Sequence, residues 1–405
     1  MAKILPFRAL RPAPGYSGEV ATQSYDSYEK EERETLISGD NKTFLKVIGG
    51  AYKTFPKSPK SRYKAVRKAF EKAKENGTLI KDQLDAIYIY RITTSSGYKY
   101  LGTIACLPIS DYDNNTILKH EDTLTARETI FETYLDLVNF NAEPVLVSYP
   151  DHEGLNELLQ TYCQLDPTDD FEFSDGSKHT IWAISKPSDI VKIIQQFQSI
   201  TQLYIADGHH RAASSSRLAA SRVDAASQQF MTYLIPESQL QILEFNRYIK
   251  NLNGHTEEYF LEQLAKFFEV KLIGNEMSLP KKLHQFTLYL NKKCFELNVI
   301  PSYFENQPNA LEALDVYILN SLVFEPLLNI LDLKMDDRVQ FAPGHLSISA
   351  MQNTVDQGKY KAVFGLFPIA AQSIRLIADQ HLTLPPKSTY IQPKLLSGLT
   401  IYELL

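Results

Sequence analysis

The stretch Leu203-Tyr204-Ile205-Ala206-Asp207-Gly208-His209-His210-Arg211 limits the architecture of this chain more than any other. Four apolar residues read as a short buried strand, Asp207-Gly208 breaks it, and an alanine- and serine-rich run from about His210 reads as a helix. A glycine at such a junction lets the backbone approach a ligand closely. The amides at the helix start, with the positive end of the helix dipole behind them, favour an anion. Arg211 adds a fork suited to phosphate, and His209 and His210 add donors. The plainer alternative is a strand-to-helix turn capped by Asp207, with both histidines at the surface. Against it, two histidines and an arginine oppose the dipole unless something negative sits nearby.

Along the chain, helical spacing of Tyr63, Val66, Phe70 and Ala73 predicts a helix from Ser61. Residues 86–90 and 98–104 read as strands joined by a hairpin turn at Thr94-Ser95-Ser96-Gly97. A helix with Ile130, Tyr134, Leu137 and Val138 as its buried stripe follows, then a strand at 144–147, a helix near Leu155–Tyr162, a strand at 179–184 and a helix from Pro187. Beyond Lys250 we expect a helix capped by Thr256, a hairpin over 286–299 turning near Asn291-Lys292, and a long helix from Leu311 to Leu331 bent at Pro326. Helices, strands and hairpins mix without a strict alternation, which predicts an α+β fold. The expected division is 1–248 and 249–405.

With 42 Lys+Arg against 48 Asp+Glu, the formal net charge is −6, which argues against nucleic acid as a partner. No apolar run approaches the roughly 20 residues that span a bilayer, and Pro6 and Arg8 interrupt any leader-like opening. A soluble, cytoplasmic protein is expected. Cys106, Cys163 and Cys294 form no Cys-x-x-Cys pair, so neither a disulfide framework nor a zinc site is expected.

Two further constellations bear on chemistry. In Lys119-His120-Glu121-Asp122-Thr123, Glu121 would serve as a general base toward a hydroxyl or hold a metal, with His120 orienting it. The competing reading is an ordinary helix start, with Thr123 as cap and Glu121 and Asp122 satisfying the dipole. Near the C-terminus, Lys387-Ser388-Thr389, with Lys394 and Ser397-Gly398 beyond, reads either as a rigid loop touching phosphate or as an extended tail with its lysines in solvent. Arg8 and Arg11 would join the first reading as a basic lining. Neither a P-loop nor a Gly-x-Gly-x-x-Gly or Gly-x-Ser-x-Gly motif is present. The remaining histidines, His179 among them, are scattered and expected in surface or core roles.

Five motifs occur together and in order: Pro6-Phe7-Arg8-Ala9-Leu10-Arg11-Pro12, Lys119-His120-Glu121-Asp122-Thr123, His179-Thr180-Ile181-Trp182, Ile205-Ala206-Asp207-Gly208-His209-His210-Arg211 and Pro385-Pro386-Lys387-Ser388-Thr389. Over essentially the whole chain they resemble a bacterial and archaeal domain-of-unknown-function family, number ten-fifteen. That family is similar to the ParB/sulfiredoxin superfamily, whose nucleotide site uses a Gly-x-x-Arg loop at a helix start. Within it the motif pair resembles that of the free serine kinases, a His-Glu dipeptide ahead of a helix and a later Asp-Gly-His-His-Arg.

The resemblance implies a ParB/sulfiredoxin-like nucleotide-binding core with an N-terminal elaboration and a C-terminal α+β region. It also implies a kinase acting on the hydroxyl of a small metabolite, free L-serine first, with ATP or ADP and Mg²⁺. Glu121 would be the base, oriented by His120. Gly208, His209, His210 and Arg211 would cradle phosphates with help from Thr123, Lys387, Ser388 and Thr389, and Asp207 would orient the loop or assist Mg²⁺. A nucleotide-binding regulatory module, hydrolysing slowly as ParB does and without a small-molecule acceptor, is the alternative. The chain departs from the serine kinases in placing Asp207 86 positions after Glu121, a gap expected to hold an inserted strand and helix. It lacks the DNA-binding helices of ParB, and no cysteine flanks Gly208 as sulfiredoxin chemistry requires.

Overall fold

A computed structural model describes residues 2–49, 58–306, 308–333, 335–385 and 387–404. The chain forms two compact units, Met1–Leu240 with Pro393–Leu405, and Gln241–Gln392. The boundary therefore falls before the expected 248, and the closing residues return to the first unit. They do so because Tyr402–Glu403 pairs with Phe140–Asn141 and Ile401, fully buried, bridges Leu10.

The first unit contains helix α1 (Pro59–Glu75), strands β1 (Ile87–Thr93), β2 (Lys99–Pro108) and β3 (Ile117–Leu118), helix α2 (Thr125–Val138) and strand β4 (Val145–Tyr149). Helix α3 (Glu153–Tyr162), strands β5 (Asp169–Glu172) and β6 (Lys178–Ile184), helix α4 (Pro187–Gln198), strand β7 (Leu203–Asp207), helix α5 (His209–Ser221) and strand β8 (Gln229–Pro236) follow. The eight strands make one mixed sheet in the order β3-β7-β4-β8-β2-β1-β6-β5. Pairs β7–β3 and β8–β4 are parallel and the others antiparallel.

Strand β4 is buried along its whole length and β8 at every residue after Gln229, the pattern of central strands covered on both faces. On one face Leu155, Leu159, Ile193, Phe197 and Ala212 of the helices pack against Ile89, Val147, Ile205 and Leu234 of the sheet. Helix α1 follows its spacing: Ser58 caps it, Pro59 opens it, and Tyr63, Val66, Phe70 and Ala73 are buried. Val66 and Phe70 join Val138 and Phe140 in a separate cluster. The stripe on α2 differs from expectation. Leu135 and Val138 are buried, whereas Ile130 is 55% exposed, because this helix packs through its C-terminal half.

In the second unit, strands β9 (Phe245–Ile249), β10 (Phe268–Gly274), β11 (Gln285–Leu290), β12 (Lys293–Val299), β13 (Val339–Pro343) and β14 (Ala362–Gly365) form an antiparallel sheet in the order β10-β12-β11-β14-β9-β13. The β11–β12 hairpin turns on Asn291 and Lys292, both at positive φ as a tight two-residue turn requires. Helix α6 (Glu257–Leu264) is capped by Thr256, whose side chain accepts from the amide of Tyr259. The long helix expected from Leu311 to Leu331 does not form. A helical turn spans only Asp315–Leu319, where buried Asp315 accepts from the His284 amide at 3.0 Å, and then widens into a π-turn over Asn320–Phe324. Pro326, which has no amide to donate, follows, and Asn329 stands at positive φ.

His179 lies in the core of the first unit rather than at the surface. Tyr90 Oη is 2.5 Å from its Nδ1, and its Nε2 is 2.7 Å from Ser177 Oγ, which donates in turn to Asp175. Burial pushes this imidazole down to about 4. Unfolded histidine titrates near 6.5. The neutral ring therefore contributes stability that is fully present above about pH 6.5 and is lost as the pH falls from there through about 4. Denaturant midpoints should drop across that window. His179→Gln should be less stable at pH 7 by about 1–3 kcal/mol and should show a shallower drop. An unchanged pH slope in the variant would remove His179 from this role.

Candidate active site

Two chain segments far apart in sequence leave one sheet edge side by side. Strand β3 pairs in parallel with β7, Ile117 opposite Leu203 and Leu118 opposite Tyr204. Parallel partners run the same way, so His120-Glu121 emerges beside Asp207-Gly208. The chain between them carries α2, the short strand Phe140–Asn141, β4, α3, β5, β6 and α4.

Gly208 is the N-cap of α5 with φ +97°, a left-handed conformation that only glycine adopts cheaply. A Cβ there would meet the Arg211 guanidinium at 3.0 Å. The first intrahelical hydrogen bond runs from the Ala212 amide to the Gly208 carbonyl, so the amides of His209, His210 and Arg211 precede the helical ladder.

His209 is 5% exposed. Its Nδ1 lies 3.7 Å from Glu121 Oε2, and its ring packs edge-on against that of His120 with centroids 4.5 Å apart. Burial pushes His209 well below the usual histidine range, and His120, His210, Lys119 and Arg211 push it further the same way. Burial likewise lowers His120 to about 4, against the pull of Asp207. Both rings are therefore neutral at pH 7. Among the described residues the buried His209 Nε2 has no hydrogen-bond partner, an arrangement that a ligand atom would relieve. Glu121 remains half exposed at this turn.

Arg211 is already engaged. Its Nη1 reaches Glu143 Oε1 at 2.7 Å and the Pro144 carbonyl at 2.6 Å, and its Nη2 reaches Asp207 Oδ2 at 3.3 Å. Lys394 Nζ lies 3.7 Å from the other oxygen of Asp207. Arg211 therefore has two carboxylate partners of its own before any phosphate arrives. Asp207, held between two cations, does not fit the part of a dedicated Mg²⁺ ligand. Among the described residues no group of three or more His, Cys, Asp or Glu side chains could hold a metal ion.

Other candidate residues have partners of their own or belong to the second unit. Thr123 is not the cap of α2, whose N-cap is Leu124; its hydroxyl donates to the Glu128 carboxylate. Arg8 pairs with Asp85 at 3.2 Å and Arg11 with Asp82 at 2.7 Å, so both are matched by carboxylates of their own. Lys387, Ser388 and Thr389 belong to the second unit, and Pro386 lies outside the described residues. There the Lys387 carbonyl accepts from the fully buried Arg247 at 2.9 Å, and Ser388 Oγ donates to the Pro385 carbonyl at 2.6 Å. Thr389 is half-buried.

Glu143 is a site residue that motif reading missed. Its carboxylate accepts from Ser397 Oγ at 2.9 Å as well as from Arg211, tying the C-terminal stretch to the mouth of β4. A lone glutamate before Pro144 carries no signal of that in sequence. Beside Arg211 and Glu143 opens a cavity of about 460 Å³ with mainly aromatic and aliphatic walls.

A family model described as "Protein of unknown function (DUF1015)" matches residues 4–317. No curated protein matches the chain. Among solved structures, a free serine kinase mutant in complex with ADP is similar at 14% identity and TM-score 0.38, over 74% of this chain and 92% of that one. SbnI with a C-terminal truncation, from Staphylococcus aureus, matches at 12% identity and TM-score 0.40, over 74% and 87%. A conserved hypothetical protein from Pyrococcus furiosus matches at 12% and TM-score 0.34, over 73% and 94%.

The turn depends on Gly208. Gly208→Ala should cost about 1–2 kcal/mol from the positive φ alone, with a further loss as Arg211 is displaced. Denaturant titration measures it, and a variant as stable as the parent would mean that the turn tolerates a side chain.

Proposed function

The chain belongs to the DUF1015 family, and we propose that it is a nucleotide-dependent kinase that phosphorylates the hydroxyl of a small metabolite in the cytoplasm. The reading takes the first unit as a ParB/sulfiredoxin-like core, ATP or ADP as phosphoryl donor, and free L-serine as the first acceptor to test. The observation that carries it is the meeting of Glu121 with the α5 turn, 3.7 Å from His209. A carboxylate beside a set of helix-start amides supplies what phosphoryl transfer asks of a protein: a proton acceptor next to a place for charged oxygens.

In this scheme the acceptor hydroxyl oxygen attacks the terminal phosphorus and gives its proton to Glu121. The bond from that phosphorus to the nucleotide's bridging oxygen breaks, and the shortened nucleotide leaves with the electron pair. The amides of His209, His210 and Arg211, which precede the helical ladder, would serve the phosphate oxygens. His209 and His120 are held neutral by burial, so they pack at the turn without adding charge to it. Any Mg²⁺ is held mainly by the nucleotide's phosphates and water, and no step is assigned to a protein-held metal.

The test is nucleotide consumption with and without a panel of amino acids and hydroxy acids, with phosphorylated product followed by phosphorus NMR. Turnover stimulated by one acceptor is expected. Slow turnover indifferent to every acceptor would replace the kinase with a nucleotide-operated regulatory module. Glu121→Gln should lower transfer about 10²- to 10⁴-fold while leaving nucleotide affinity close to that of the parent. Normal turnover in that variant would remove Glu121 as the base.

A further inference from the structure

We infer that the cavity beside Arg211 receives the heteroaromatic base of the nucleotide. This deepens the reading of the α5 turn as a phosphate socket and rests on it. The chamber, about 460 Å³, lies wholly within the first unit and is of a size that holds a small organic ligand. Its walls include Tyr25, Tyr63, Phe131, Tyr134 and Phe140, with Arg211 at one end.

Several of these walls are fixed in advance. Phe140 stacks on Phe70 with centroids 4.2 Å apart, and Tyr63 meets Tyr134 edge-on at 5.2 Å. A flat ring can therefore enter without ordering its surroundings first. At the lip, consecutive apolar side chains of α2 stand in solvent, Ile130 at 55% and Phe131 at 42% exposure. Ile130 and Phe131 also line the chamber, so a guest there would cover them.

The polar end supplies what a base edge needs. Asn141, in the wall, has a buried Nδ2 with no hydrogen-bond partner among the described residues, and a ring nitrogen or carbonyl would satisfy it. Arg211 and Ser214 of α5 belong to the same lining, so the chamber opens onto the helix whose start faces the phosphates. The chemistry of the walls also separates the reactants. Free serine is small and polar throughout and offers these aromatic walls nothing to cover, whereas a base stacked on them is worth about 1–3 kcal/mol per contact removed.

Calorimetry on the full chain decides the matter, using ADP, tripolyphosphate, and a panel of adenosine, guanosine, cytidine and uridine. The parent protein is compared with Phe131→Ala, which trims the wall, and Ile130→Trp, which fills the mouth. Both positions are about half exposed, and thermal melts check that the variants fold. ADP and at least one nucleoside should bind the parent. Both variants should weaken them about ten- to a hundred-fold while leaving tripolyphosphate unchanged. If ADP and tripolyphosphate bind the variants as they bind the parent, the base lies elsewhere, and the socket stands without this chamber. If a nucleoside binds in a Phe131-dependent way but tripolyphosphate does not bind, the chamber stands and the phosphate socket falls. Binding of none of the probes would overturn both.

Discussion

Two backbone pairings, Ile117 with Leu203 and Leu118 with Tyr204, hold the candidate site together. A two-residue parallel ladder is weak by itself. Here it lies at one edge of an eight-stranded sheet whose inner strands are covered on both faces, so the register is imposed by the core behind it. Everything at the site follows from that registration. Because both segments leave the edge in the same direction, a carboxylate early in the chain and a helix start late in it meet in space, although eight elements of structure intervene. Shifting the register by one residue would turn His120 and Glu121 to opposite faces and separate them from His209.

The electrostatics of the turn follow from crowding and burial. Lys119, His120, His209, His210 and Arg211 gather where a helix dipole is already positive. The fold resolves the conflict in two ways. It buries His120 and His209 so that they stay neutral, and it matches Arg211 with Glu143 and Asp207. The second device makes Arg211 a structural residue as well, since its guanidinium lies over Gly208 and clamps the turn to the mouth of β4. The glycine, the arginine and the upstream glutamate thus form one mechanical unit, and the left-handed glycine is what allows the guanidinium to lie so close.

How far the chain could be read in advance depended on how local each cause was. Helix α1, the β1–β2 and β11–β12 hairpins, and the strand-to-helix break at Gly208 are specified by nearby residues: apolar spacing, a serine cap, positive-φ turn residues. The stripe on α2 misled because Ile130 has the right spacing but the wrong neighbours; where the helix meets its partners is a tertiary matter. The stretch from Leu311 to Leu331 misled because its apolar run obeys helical periodicity, while buried Asp315 and the proline at 326 interrupt it. Thr123 has the composition of a cap, but the helix starts two residues later and its hydroxyl turns to Glu128 instead.

Sequence alone determined the chemistry available at the turn: the amides freed by a helix start after a glycine, the imidazoles, the arginine fork and the carboxylate at 121. It could do so because those properties belong to single residues and to a few bonds on either side. Only the tertiary structure decided which of these groups share a space and in what state. Strand pairing put Glu121 beside His209, burial removed charge from two histidines, Glu143 and Ser397 arrived from distant segments, and an aromatic chamber formed beside Arg211. Proximity, desolvation and enclosed volume are properties of packed surfaces, and a linear chain has none of them until it folds.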